Sequence, residues 1–288
     1  MMLRLLGPIF LLAAALPQLP VIRVDANLVL TPVRVTDAAG KTVHGLELDD
    51  FEIEENGVKA QPARLGAAGE APLELALVFD TSGSVYAQVE LERRAAALFL
   101  QRTLRRGDGV CIVAVANQPR VLLTRTSSLD TALRAVDAIT PTTQATAFYN
   151  SLALAARMLE DAARPDARRV LIAISDGEDN RSLDHGLEDI LKALRNTNSL
   201  FYSVNPQGAV QGTNYFSRRA QQNLDRIARE TGGASFVADD VDRLTEFLDR
   251  IADELKGQYL LGYYSPAKTG PGIFRRIFEF QKDESAPA

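Results

Sequence analysis

The residues of this chain best suited to chemistry are oxygen donors that stand just past apolar runs. Asp80-Thr81-Ser82-Gly83-Ser84 follows LELALVF directly. In an extended loop alternate positions turn to one side, so Asp80, Ser82 and Ser84 can present one carboxylate and two hydroxyls together. Asp176 stands beyond a second apolar run, VLIAIS, and Thr146 lies at the head of the helical run ATAFYNSLALAARML. Two carboxylates with hydroxyls and water make an all-oxygen set for a small hard cation, most naturally magnesium, with calcium or manganese also accommodated. Taken singly, each residue has a plainer role: Ser84 and Thr146 as helix N-caps, Asp80 and Asp176 as turn formers, Ser82 as a loop residue. The weight rests on their joint order along the chain.

Such donors converge only if both aspartates leave the same edge of one sheet. From Leu73 onward apolar strands alternate with amphipathic helices, the pattern of a mostly parallel α/β sheet covered on both faces, which binds ligands at the carboxyl ends of its strands. The helix after Ser84 is expected to put Leu91, Ala95 and Leu98 on its inner face, with Glu92, Arg93 and Arg94 among the outward positions. VCIVAVA forms the next strand, and Arg120 to Thr126 a short, antiparallel edge strand. Helices from about Leu129 to Ile139, Ala147 to Met158, Leu187 to Leu194, Arg218 to Glu230 and Val241 to Leu255 alternate with strands at Val170 to Ile174, Leu200 to Val204 and Ala234 to Val237.

The flanks read differently. Between Val21 and Gly66 the pattern has period two, as at Phe51 and Ile53 against Glu52 and Glu54; Asp37-Ala38-Ala39-Gly40 supplies a turn and Asn56-Gly57 a hairpin signal. Gly66 to Gly69 reads as a linker. Tyr259 to Tyr264 and Phe274 to Phe280 return to strand character around Gly270-Pro271-Gly272. Two small β segments flanking one domain would expose edges, so they are expected to pair. The expected division is an export signal at 1–20, an N-terminal β module at 21–70, an α/β domain at 73–256 inserted into the split module, returning strands at 257–281, and a frayed tail at 282–288.

Composition excludes several classes. Lysine and arginine total 32 against 37 acidic residues, so a net charge of -5 gives no general attraction to nucleic acid or anionic membrane. One cysteine, Cys111, forbids an intrachain disulfide and lies in an apolar run, as a buried inert thiol would. His44 and His185 stand far apart, which disfavours a zinc site of the usual kind and Ser-His-Asp hydrolysis. The opening MMLRLLGPIFLLAAALPQLP, with Arg4 ahead of an apolar stretch too short to span a bilayer, reads as an export signal to the periplasm or exterior. Arg106-Gly107-Asp108 reads as a turn, Glu178, Asp179 and Asn180 as a solvated loop with Glu178 the one able to tune the site, and Tyr215 and Phe216 as loop residues docked on the sheet edge.

Asp80 to Ser84, Thr146 and Ser175-Asp176-Gly177 together resemble the metal-ion-dependent adhesion site of von Willebrand factor A domains, in the right order and over roughly Leu73 to Leu255. The resemblance implies a doubly wound, Rossmann-like α/β sheet. It also implies direct coordination by Ser82 and Ser84, coordination by Thr146 directly or through water, and largely water-mediated contacts from Asp80 and Asp176. A carboxylate of a protein partner would complete the shell, and no enzymatic step is implied. The flanks VRVTDAAGKTVHGLELDDFEIEENGV and YLLGYYSP with FRRIFEF resemble a group of exported bacterial proteins of this kind. Two features depart from the pattern: Thr143-Gln144-Ala145 stands where Gly-Gly is common, and the chain ends soon after Phe280, where another strand is expected. Two competing readings remain. One is a metal-dependent phosphoryl-transfer hydrolase using Asp80, although the second aspartate such enzymes carry two residues on is here Ser82. The other is a scaffold with a vestigial site. No Walker A or G-x-G-x-x-G signature follows a strand.

Overall fold

The computed structural model describes residues 28–35, 37, 42–81, 89–142, 145–162, 167–208, 215–266 and 277–281. The expected export signal, Ser82, Ser84, Thr143, Gln144, the expected turns at 38–40 and 270–272, residues 209–214 and residues 282–288 lie outside the described residues.

The elements run β1 (Leu28–Val33), β2 (Phe51–Glu55), β3 (Val58–Ala60), β4 (Pro62–Ala67), β5 (Leu73–Asp80), α1 (Val89–Thr103), β6 (Gly109–Val115), β7 (Arg120–Thr126), α2 (Leu129–Asp137), α3 (Phe148–Ala162), β8 (Arg168–Ile174), α4 (Leu187–Asn196), β9 (Ser199–Asn205), α5 (Tyr215–Thr231), β10 (Ser235–Val237), α6 (Val241–Gly257), β11 (Tyr259–Tyr264) and β12 (Ile277–Gln281). A six-stranded sheet has the order β10-β9-β8-β5-β6-β7. All neighbours are parallel except β7, which runs antiparallel to β6 at the edge. This is the doubly wound α/β sheet, antiparallel edge included, that the alternation of apolar strands and amphipathic helices predicts.

Each residue of β5 is buried, and alternation sorts its side chains between two cores. Leu73, Leu75, Leu77 and Phe79 pack with residues of α1, α2 and α6. Ala76 and Val78 pack with residues of α3, α4 and α5. Such burial on both faces is why the strand reads as a continuous apolar run. Cys111 belongs to the second core, and burial pushes its thiol up to about 12.

Two small sheets complete the fold, in the orders β1-β11-β4 and β12-β2-β3. The β2–β3 hairpin turns on Asn56 and Gly57, both at positive φ (52° and 83°), the backbone that a two-residue Asn-Gly turn demands. Gly66 and Ala67, read from sequence as linker, are instead the end of β4, opposite Leu260 and Tyr259 of β11. A Cβ at Gly66 would sit 2.6 Å from the Glu70 carboxylate, so glycine is there for close approach and not for a turn. The module meets the larger domain at Glu254, 3% exposed, which accepts hydrogen bonds from Tyr202 Oη (2.5 Å) and Arg34 Nη1 (2.6 Å).

The inner face of α1 corrects the expectation. Its buried residues are Val89, Glu92, Ala95, Ala96, Phe99, Leu100 and Thr103, while Leu91 and Leu98 are 38% and 53% exposed. The stripe that carries Phe99 and Leu100 buries more apolar volume than one centred on Leu91 and Leu98, and it takes Glu92 inward.

Candidate metal centre at the carboxyl edge of the sheet

In the strand order, β5 is flanked by β6 on one side and β8 on the other, so the chain reverses direction of winding at β5. At such a switch point the loops leaving the strand ends diverge and open a crevice. Asp80 is the last residue of β5, and Ser175 and Asp176 follow β8. Phe79 pairs with Ile174, so Asp80 and Ser175 fall side by side, and Ser175 Oγ donates to Asp80 Oδ2 at 2.7 Å. Asp80 is wholly buried, Asp176 is 5% exposed and Thr146 6%. Ser82 and Ser84 lie outside the described residues.

Three segments meet here, and each pair is tied. Thr81 O accepts from Thr142 N at 2.6 Å and from Thr142 Oγ1 at 3.2 Å, which joins the end of β5 to the loop before α3. Thr146 N donates to Asn180 Oδ1 at 2.9 Å, and Thr146 O accepts from the backbone N–H groups of Asn180 and Arg181, both at 3.1 Å. That clasp joins the loop before α3 to the loop after β8, and the Ser175–Asp80 bond closes the triangle. Asp179 Oδ1 accepts from Ser182 N at 3.0 Å and from Phe148 N, the first residue of α3, at 3.3 Å. Asp179 and Asn180 therefore pin the loops together while staying at the surface, Asn180 exposed and Asp179 half-buried. Besides the local partners of Asp179, each takes a backbone N–H more than thirty residues earlier, Phe148 for Asp179 and Thr146 for Asn180, which no local pattern announces. Glu178 accepts a 2.6 Å bond from Ser217 Oγ of α5.

The loop after β8 also sets its own shape. Gly177 N donates to Ser175 Oγ and Glu178 N to Asp176 Oδ1, both at 3.0 Å. Gly177 has φ +74°, and a Cβ there would sit 2.8 Å from the Leu224 side chain. Only glycine meets both demands.

Sequence reasoning missed Glu92. It is 0% exposed, and neither carboxylate oxygen has a hydrogen-bond partner. Burial first, then the charges of Asp80 and Asp176, raise its pKa from the usual 4.5 to about 8. The available signal was position: stripe spacing from Val89 and Phe99 places residue 92 inward. Among the described residues, no three histidine, cysteine or carboxylate side chains stand close enough to share one ion. Asp80, Asp176 and Thr146, brought to one edge of the sheet, offer oxygen donors only. That chemistry fits a hard divalent cation.

Beside the crevice lies a cavity of about 610 Å3, lined by Tyr149, Glu178, Asn180, Phe216, Arg219 and Asn223 among others. Tyr215 and Phe216 open α5 and are 61% and 74% exposed, not docked on the sheet edge. Asp108 of the Arg106-Gly107-Asp108 tripeptide is 8% exposed and accepts from Leu73 N and Arg105 N, both at 2.8 Å, as a turn residue does.

Residues 75–178 match the family model of the von Willebrand factor type A domain. Solved structures with the same fold include the conserved hypothetical protein BatB from Bacteroides thetaiotaomicron, 22% identical, with 64% of this chain and 97% of that one covered and a TM-score of 0.51. A von Willebrand factor type A protein from Catenulispora acidiphila is 17% identical over 82% of this chain and 70% of its own, with a TM-score of 0.52. Proximal thread matrix protein 1 from the mussel byssus, solved with a zinc-occupied MIDAS motif, is 22% identical over 69% of this chain and 48% of its own, with a TM-score of 0.53. No curated protein matches the chain. Sheet order and the matched segment agree: residues 75–178 are similar to the von Willebrand factor type A domain, and the six-stranded sheet that holds them has the fold of such domains.

Proposed function

We propose that this protein is an exported binding module in which Asp80, Ser82, Ser84, Thr146 and Asp176 hold a divalent cation, magnesium in the first instance, that captures a carboxylate of a protein partner. The observation that carries the proposal is the tied triangle of β5 end, pre-α3 loop and post-β8 loop, the three segments that carry Asp80, Thr146 and Asp176. The zinc-occupied motif of the mussel protein supports a divalent metal at this place in the fold. When bound, the cation supplies a Lewis-acidic position for an incoming oxygen. The chain's own residues orient that position, and the neighbouring cavity with Phe216 and Arg219 on its wall selects what surrounds the carboxylate.

No catalytic step is needed. Asp80 is fully buried and accepts a hydrogen bond on Oδ2, a setting for a fixed donor and a poor one for a phosphoryl acceptor. Export rests on the first twenty residues; among the described residues no helix is long and apolar enough to cross a membrane.

Titration calorimetry with magnesium on the wild-type protein and Asp80→Ala is the direct test. Binding in the first and none in the second is expected, and equal, negligible heats would remove the metal site. Partner capture is then compared with and without chelator. Metal-dependent phosphatase turnover lost in Asp80→Ala would instead establish the enzyme reading.

A further inference from the structure

Glu92 sits within the first two turns of α1, the helix that follows the loop leaving Asp80, and faces inward. A buried carboxylate without hydrogen bonds is among the costliest groups a fold can hold, several kcal/mol even after relaxation. The helix N-terminus offsets only a fraction of that, about 0.3–1 kcal/mol in ordinary settings. Mere packing does not account for it, since a leucine or glutamine would fill the position without the charge. Both Glu92 oxygens stay unsatisfied next to two further carboxylates, Asp80 and Asp176. All three are buried and near enough for the aspartates' charges to act on Glu92.

Resting on the cation reading above, we propose that Glu92 is a third carboxylate of the metal centre, holding the ion through a coordinated water and balancing its charge. Glu92 is not a direct ligand together with both aspartates, because no such trio stands close enough to share an ion. A water spans the gap: it donates one hydrogen to a Glu92 oxygen while its own oxygen faces the metal, the arrangement by which outer carboxylates orient a metal's ligands. The ion in turn supplies the positive charge that three neighbouring carboxylates call for. Glu92 is thus a positioning residue that makes occupancy of the crevice a condition for full stability.

The test uses the full chain as wild type, Glu92→Gln and Glu92→Asp, with magnesium calorimetry and thermal melts in excess magnesium or EDTA. In Glu92→Gln the magnesium affinity is expected to fall about tenfold or more, while the EDTA melt at neutral pH moves upward because folding no longer has to protonate a buried carboxyl. Glu92→Asp keeps the charge and is expected to bind more tightly than Glu92→Gln. Wild-type and Glu92→Gln affinities within twofold, with equal magnesium-induced shifts in Tm, would overturn this inference and leave the metal site standing. Equal losses in the Gln and Asp variants would also overturn it, since shape and not charge would then be responsible. Absence of binding in the wild type itself would overturn the metal site and this inference together.

Discussion

The proton on Glu92 makes the stability of the fold depend on pH. Unfolded, the group titrates near 4.5; folded, near 8, chiefly through burial. Between those values the folded chain holds a proton that the unfolded chain has released, so stability falls as pH rises through the window and levels off above it. A shift of this size corresponds to a few kcal/mol, in order of magnitude. Melting temperatures in EDTA are therefore expected to decline from pH 5 to pH 8.5, and Glu92→Gln to flatten the decline. The opposite case is Cys111, whose thiol is pushed up to about 12 by burial and stays protonated and enclosed. It is expected to resist a thiol reagent until the protein unfolds, which mass spectrometry across a urea series would follow. The aspartates were legible from their places after apolar runs, because strand ends at one sheet edge are a matter of sequence order. Glu92 was not, because a charged residue at an inward position looks like a polar face until the larger side chains around it are seen to pack.

At the level of elements, the loop after β8 matters more than its composition suggests. Asn180 holds Thr146 by both its side chain and its backbone. Asn180→Ala removes the side-chain half of this clasp, at about 1 kcal/mol of stability. It is expected to weaken magnesium binding severalfold while every proposed ligand remains, as calorimetry would show. Gly177→Ala would meet both the left-handed backbone and Leu224, and a loss of about 1–3 kcal/mol in urea unfolding is expected. The helices and strands of the large sheet were readable because each carries its own period. Asp179 and Asn180 were not, since their value lies in hydrogen bonds to Phe148 and Thr146, more than thirty residues earlier. The face of α1 was misread for a related reason: two exposed leucines made an apolar stripe that the sheet does not use.

On the scale of the whole molecule, Glu254 joins the small sheets to the large one through Arg34 and Tyr202. Glu254→Ala leaves the buried Tyr202 hydroxyl without its acceptor and is expected to cost about 1–3 kcal/mol, with Glu254→Gln closer to wild type; urea denaturation would rank the two. The arrangement of β1, β11 and β4 has a further consequence for how the chain assembles in time. β11 is the middle strand, yet both of its neighbours precede it by nearly two hundred residues or more. Until residue 259 is available, β1 and β4 have no partner between them, so this sheet must form after the large domain has brought its two ends together. A long loop is closed by a folded body and not by a searching coil, which lowers the entropy of closure. In refolding experiments the burial of Tyr259 and Tyr263 should lag behind formation of the large sheet, and a chain halted before β11 would display two bare strand edges to any neighbour it meets.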